Sequence, residues 1–471
     1  MSMDEETAAP AEQSPQSETA AKQAPSDDHL FLARVIGAAG DRDGPLLRRL
    51  LKPLDPADLA DVIEHMPHEA ARHIFQLIGA DLPAEMLAEL SWETRQDVLQ
   101  YLPADFVGRA LGELDTDDAA AVAADVDEKK LGQVLAAAPD DVRLAVEEAL
   151  SFEEETAGRL MQREYVAAHE GATVGEVIDR LRTEAEELPD LFFEVYVVDV
   201  AMRPIGAAPV STLLRSAREM PMRDIMQPIR LLIRPEMDQE DIAVSFQKYH
   251  MASAPVVDDA GRLTGMVTVD DIMDVVREES GEDLLALAGV SEASQTDTVV
   301  RTIRARAPWL AVNLATAMIA SSVIAQFEDS IQVIVALAVL MPIVASLGGN
   351  AGTQALAVAV RAIASRDLTP TNAARYVARE AVTGAANGVV FAAVLSAATF
   401  FWFGNGGLSL AIALAVIINF ACAGLAGILV PLTLQRVGAD PAVSSGVFVT
   451  FTTDVVGFLA FLGLATAILL R

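Results

Sequence analysis

The sequence predicts a mainly α protein in three parts: an acidic helical-superhelix N-domain, a tandem pair of small α/β domains, and a polytopic α-helical membrane domain with five transmembrane helices. Three observations carry that prediction. The 471 residues hold 67 acids against 34 bases, a net charge of −33, yet the segment from Ala307 onward is neutral, with six of each. The same neutral segment holds long uncharged apolar runs, within a chain that is 52% hydrophobic. Between the two lies a strand-and-helix texture that repeats. The length fits two to four domains. A single cysteine, Cys422 in an apolar stretch, excludes a disulfide framework and a CxxC centre. The acidic front half argues against nucleic-acid binding, because phosphates would be repelled, and would gather cations at its surface. A solvated surface kept for solubility or high salt would look the same.

Residues 1–27, rich in Ala, Ser, Gln, Glu and Pro, predict a disordered tail; they lack the basic start and apolar core of a signal peptide. Residues 28–152 predict short helices recurring about every 20 residues, as in LDPADLADVIEHM, SWETRQDVLQYL and LDTDDAAAVAADV. Most open on Asp, Ser or Pro, suited to an N-cap or first turn, and continue with Leu, Ala and Val at helical spacing. Helices this short bury themselves only against one another, so they predict a stacked helical domain, a docking surface rather than a catalyst.

From residue 153 the β-branched runs Phe192–Val200, Ala254–Val257 and Leu263–Val269 read as strands, flanked by helices over Thr173–Thr183 and Asp238–His250. The order recurs: a Met-containing opening (Leu160-Met161, then Ile225-Met226), a helix, two strands, a helix, with the AMRPIG turn of the first copy matched by AGRLTG in the second. The two copies, 153–217 and 218–281, resemble a tandem pair of CBS domains. That resemblance implies an adenine nucleotide, ATP among them, held through Gly-x-x-Thr-x-x-Asp, which the second copy carries as Gly265, Thr268 and Asp271. The first copy reads Gly206, Pro209 and Thr212 in the same frame and lacks both polar ligands.

In the membrane domain, Ala307–Phe327 is 21 uncharged residues, enough at roughly 1.5 Å per residue to cross a bilayer core. Further spans are predicted over Ile331–Val360, 378–403, 408–434 and 445–470. The run Leu347-Gly348-Gly349-Asn350-Ala351-Gly352 predicts a broken helix in mid-membrane, tolerated only where it lines protein or water and suited to presenting carbonyls to a pore. Arg301, Arg304 and Arg306 before the first span put the N-terminal half in the cytoplasm. Arg361, Arg366, Arg375 and Arg379 after the second, and Arg436 after the fourth, keep the alternation and leave the C-terminus outside.

Asp454, about ten residues into the last span, is the main functional candidate: an isolated carboxylate there costs at least roughly 2.5 kcal/mol, unless Thr452 or Thr453 satisfies it. Glu380, beside Arg379, lies nearer the interface. All six histidines precede the membrane and no thiol pairs with Cys422, so the donors are hard oxygens. Mg²⁺, which dehydrates reluctantly and accepts few carboxylates plus waters, suits them better than a soft metal.

With PIVASLGGNAGTQA and TTDVVGF behind an acidic helical domain and a CBS pair, residues 28–471 resemble the MgtE family of magnesium channels. The resemblance implies a homodimer in the cytoplasmic membrane whose pore conducts Mg²⁺. Mg²⁺ bound to the cytoplasmic domains would close it through a connecting plug helix, here 282–306, leading into the pore domain at 307–471. It implies pore roles for Asp454, Asn350, Gly349, Glu380 and Asp440. Sensor roles fall on Asp238, Glu240, Asp271, Asp274, Glu279, Glu282 and Asp283, with Asp117 and Asp118 in the N-domain. His250 and Ala121 stand where the pattern leads one to expect acids. The alternatives are a channel for Mn²⁺ or Co²⁺ and a non-conducting membrane sensor; an enzyme is disfavoured because no base–nucleophile set or phosphate loop occurs.

Overall fold

The structure is a computed structural model that describes residues 28–184, 188–189, 191–287, 299–369, 371–438, 441 and 445–470. The tail at 1–27 and Asp440 lie outside the described residues, as does 288–298 within the connecting segment. The chain falls into two units: Met1–Asp238 with Ala252–Thr268, and Gln239–Met251 with Val269–Arg471.

The first unit opens on short helices from His29–Gly40 to Asp140–Ala149. Asp28, Asp43, Asp55 and Asp127 accept backbone N–H bonds as N-caps, and Pro67, Pro103 and Pro139 begin other helices from extended backbone. Their apolar faces share one core that includes Leu47, Leu59, Ile74, Leu99, Leu111 and Val134. Gly108 is required where Ala104–Leu111 crosses Glu128–Ala137, since a Cβ there would stand 2.5 Å from the Val134 carbonyl oxygen. The helix Thr116–Ala124 begins on Asp115, which gives it no side-chain cap. Glu164 serves instead, accepting from the Thr116 N–H at 3.1 Å and its hydroxyl at 2.7 Å.

The CBS repeat is visible in its strand register. In the first copy β2 (Glu194–Val198) pairs antiparallel with β3 (Pro204–Pro209), Val197 opposite Gly206. In the second, β4 (Ser253–Val257) pairs with β5 (Leu263–Thr268), Val256 opposite Gly265, with the irregularity at the equivalent step. The first sheet gains β1 (Ala167–His169), parallel to β2, a strand too short to be read from the sequence. The opening segments are exchanged: Gln162 bridges to Met266 of the second copy, and Gln227 to Ala207 of the first. Tyr196, fully buried, donates its hydroxyl to Ser253 Oγ at 2.9 Å and ties the two sheets together.

The matched turns are also equivalent. Asp199 accepts from the backbone of Ala201 and Arg203 and from the Arg203 guanidinium; Asp258 accepts in the same way from Ala260 and Arg262. Those bonds, led by the one from the backbone N–H of Arg203 or Arg262, hold each carboxyl below its usual range. The turn requires a left-handed residue, supplied by Gly261 (φ 76°) in the second copy but by Met202 (φ 60°) in the first. Replacing Met202, 45% exposed, by Gly should therefore stabilise the CBS pair by about 0.5–1 kcal/mol. A denaturation midpoint that does not rise would mean that contacts of the Met202 side chain offset the strain.

In the second unit, helices long and apolar enough to cross a membrane run over Thr302–Ala325, Ala336–Ala364, Ala373–Phe403, Gly406–Arg436 and Ser445–Leu469, hereafter spans one to five. The prediction of five spans holds; the prediction of a break in span two does not. Span two is continuous through Gly348-Gly349-Asn350. The small residues serve close packing instead: Gly352 lies against Val449 of span five, where a Cβ would meet Cγ1 at 2.5 Å, and Gly427 of span four lies against Ala355. The carbonyls expected to face a pore are accordingly engaged in a helix. Spans three and four share a glycine seam in which Gly384 abuts the Phe420 carbonyl, Gly388 abuts Ile417, and Gly424 abuts the Glu380 carbonyl.

Candidate functional site

Asp454 lies on span five, half-buried. The two hydroxyls that could have satisfied it do not: Thr452 donates to the Phe448 carbonyl at 2.8 Å and Thr453 to the Thr450 carbonyl at 2.9 Å, both within their own helix. Among the described residues no ion pair or hydrogen bond reaches the Asp454 carboxylate. The reading of Asp454 as an Asp satisfied by its neighbouring hydroxyls is thereby removed.

The depth of Asp454 is set by the packing of spans two and five. A Cβ on Gly352 would lie 3.5 Å from Thr453 Cγ2, and one on Gly457 would lie 3.4 Å from Val344 Cγ1, so the two helices run antiparallel in contact. Asn350 and Gly349 are thus brought to the level of Asp454. Asn350 is exposed, and a Cβ on Gly349 would meet nothing within 4 Å, so this face of span two is open. Thr353 returns its hydroxyl to the Gly349 carbonyl at 3.0 Å. Glu380 lies about two turns into span three, half-buried, its backbone carbonyl against Gly424. A half-buried carboxylate on span five and an exposed amide at the same depth on span two are hard oxygen donors of the kind a hydrated cation accepts through its waters.

One polar residue of the spans was not singled out in the sequence. Asn419 of span four is 1% exposed; its Nδ2 donates to the Val344 carbonyl of span two at 3.0 Å, and its amide also lies against Gly348 and Gly457. A lone Asn in VIINFAC was the available signal.

The proposed sensor residues are distributed over both units. Asp117 is buried and accepts from the Asp118 N–H at 2.9 Å, while Ala121 is exposed one turn later. Asp238 bridges to Thr156 through its backbone. Glu240 lies in the first turn of Gln239–Tyr249, and exposed His250 follows that helix at φ 50°. On the helix Val269–Leu287, Asp271 is in the first turn, Asp274 pairs with Arg277 at 3.2 Å, Glu279 accepts from Gln239 Nε2 at 3.0 Å, and Glu282 is exposed. The Asp283 side chain lies outside the described residues. No group of three or more His, Cys, Asp or Glu that could hold a metal occurs among the described residues. The nucleotide motif fits less well. The glycine at 265 gives room to the Gln162 carbonyl, 2.7 Å from where a Cβ would stand, and Thr268 is 4% exposed, so neither opens a cradle for phosphate.

Two contacts join the connecting helix and its neighbours to the spans within the second unit. Ala286 and Leu287, at the end of Val269–Leu287, pack on a cluster of Leu356, Val360, Ala426 and Val449. Arg366, in the turn after span two, makes an ion pair with Asp241, next to Glu240.

These features define a class of protein: a polytopic membrane protein whose acidic helical and CBS domains precede a domain of five membrane-length helices with a carboxylate within the last. The family model for the MgtE divalent cation transporter matches residues 341–464, that for the MgtE intracellular N domain matches 54–155, and that for the CBS domain matches the second copy at 222–278. The chain is 32% identical over 439 residues to the magnesium transporter MgtE of Thermus thermophilus, covering 92% of this chain and 97% of the relative. It is 29% identical over 444 residues to that of Bacillus subtilis, covering 93% and 97%. The solved cytosolic domain of the Mg²⁺ channel MgtE in complex with ATP is 32% identical, with a TM-score of 0.48 over 52% of this chain and 99% of that one. The chain belongs to the MgtE family.

Proposed function

We propose that the protein is a Mg²⁺ channel or transporter of the cytoplasmic membrane, acting as a homodimer and closed by Mg²⁺ bound to its cytoplasmic domains. The observation that carries this reading is the unpartnered Asp454 carboxylate at the level of Asn350 in the packed pair of spans two and five. Relatives matched over nearly the whole chain are named magnesium transporters, which supports the choice of ion.

In this reading Asp454 attracts the hydrated ion, Asn350 and Gly349 line its path, Glu380 stands near the pore, and Asp440 stands at its cytoplasmic mouth. Residues 1–306 face the cytoplasm, where Asp238, Glu240, Asp271, Asp274, Glu279, Glu282, Asp283, Asp117 and Asp118 supply the carboxylates that bind Mg²⁺ when it is plentiful. The end of Val269–Leu287 would carry that change to spans two, four and five through Ala286 and Leu287.

The test is Mg²⁺ uptake by proteoliposomes at low and high Mg²⁺ on the cytoplasmic face. Uptake that shuts off at high cytoplasmic Mg²⁺ is expected. Uptake indifferent to it removes the sensor, and no flux beside retained Mg²⁺ binding by the cytoplasmic domains favours a non-conducting sensor. Uptake of Mn²⁺ or Co²⁺ in preference to Mg²⁺ changes the substrate.

The departure at Ala121 adds a further expectation. With no acid one turn after Asp117, closure should require more Mg²⁺ than with Ala121→Asp. Protease protection of the full chain titrated with Mg²⁺ should shift its midpoint about 3-fold lower in that variant, the effect of one added weak carboxylate contact. An unchanged midpoint excludes this position from the sensor.

A further inference from the structure

We propose that Asn419 is a positioning residue for the ion path: its amide sets the placement of the Asp454 segment of span five relative to the Gly348-Gly349-Asn350 segment of span two. The inference rests on the reading of Asp454 as the pore carboxylate.

Three observations converge on this side chain. Asn419 is almost completely buried, and its Nδ2 makes an interhelical bond to the Val344 carbonyl, four residues before Gly348. Both helices meet the amide at glycine. A Cβ on Gly348 would collide with it, and one on Gly457, three residues after Asp454, would stand 2.7 Å from Nδ2. Finally, Asn419 Oδ1 is sealed from solvent and accepts from no donor among the described residues.

The last point separates positioning from plain stability. A buried acceptor left without a donor is unfavourable, and an apolar side chain of similar volume would avoid that penalty. Interhelical hydrogen bonds in membranes contribute about 0.6 kcal/mol on average, less than the about 1–3 kcal/mol that an unsatisfied buried acceptor costs. What the amide does supply is geometry. It is a short, flat group, bonded in one direction to span two and wedged between two glycines, so that spans two, four and five share one contact at the depth of the ion path. Gly348 and Gly457 each remove a Cβ to admit it. A shift of the amide therefore moves Asn350 and Asp454 relative to each other, and ion discrimination depends on that spacing.

The experiment uses the full chain in proteoliposomes, with Mg²⁺ uptake measured in competition with Mn²⁺, Co²⁺ and Ca²⁺ and normalised to monodisperse protein. The variants are Asn419→Leu, which keeps the volume and loses the bond, Gly457→Ala, which displaces the amide while keeping Asn at position 419, and Asp454→Ala. Expected are a change of about 5-fold or more in the Mg²⁺-to-competitor ratio for both Asn419→Leu and Gly457→Ala, with the thermal midpoint of Asn419→Leu unchanged or raised. A fall in midpoint or yield with the ratio unchanged would overturn the proposal and make Asn419 a packing residue only. An unchanged ratio in both variants, with Asp454→Ala inactive, overturns it while leaving Asp454 in the pore. Full flux in Asp454→Ala overturns the reading of the pore carboxylate, and the proposal with it.

Discussion

Asp454→Asn should abolish most Mg²⁺ uptake while leaving the protein at least as stable as before. In the proposed pore role the carboxylate would attract a divalent ion across about one water layer, an interaction of roughly 1.5–5 kcal/mol at effective dielectric constants between bulk water and the protein surface. Its loss should lower uptake on the order of 100-fold, the factor that about 2.7 kcal/mol represents. Stability should move the other way, because Asp454 has no hydrogen-bonding or charged partner among the described residues and its ionised form is desolvated in an apolar span. A neutral amide of the same size removes that cost. Initial uptake rates and the thermal midpoint in detergent, measured on one preparation, decide the matter. Lowered flux with an unchanged or raised midpoint assigns Asp454 to conduction; flux and midpoint falling together would make it a structural residue.

Gly424→Leu should prevent spans three and four from assembling. A Cβ at Gly424 would stand 2.6 Å from the Glu380 carbonyl oxygen and 3.7 Å from the Gly384 Cα, and the obstacles are backbone atoms, which cannot swing aside as a side chain would. Gly384 and Gly388 meet Phe420 and Ile417 in the same seam, so separation of the helices at one point loosens every contact along it. Overpacking of a close-packed interior costs about 1–3 kcal/mol and occasionally more, and a Leu at a helix–helix backbone contact lies at the upper end. The expected result is loss of the monodisperse peak on size exclusion, or a thermal midpoint well below that of the unmodified chain. Gly463→Ala is the comparison. Nothing lies within 4 Å of its Cβ position, and Ala in a helix interior should be neutral or mildly stabilising. Equal behaviour of the two variants would mean that the seam is not tight.

The spans were legible because twenty or so apolar residues in succession admit one reading, and Asp454 was legible because a charge in such a run stands out. The CBS repeat was legible in its turns, and the Asp199 and Asp258 loops show why: the same bonds require the same residue types in both copies. The GGN segment was misread for a physical reason. Glycine both weakens a helix and permits its closest packing, and local sequence does not distinguish the two. Only the neighbours, Asn419 at Gly348 and Val449 at Gly352, decide that these two glycines are used for contact, while Gly349 between them is open. Asn419 and the Arg366–Asp241 pair escaped for a related reason, since each acquires meaning from a residue 75 or more positions away.

By itself, then, the amino-acid sequence determined what depends on composition and on neighbours along the chain: the acidic helical domain, the repeated α/β pair, five apolar spans and a carboxylate stranded within the last. Tertiary structure decided what depends on neighbours across the chain. It made span two continuous, left Asp454 without the hydroxyls beside it, placed Asn350 at its depth, and inserted Asn419 between two glycines. The division follows from range: burial and periodicity are local sums over a segment, whereas an ion path is a distance between helices that the chain brings together only on folding.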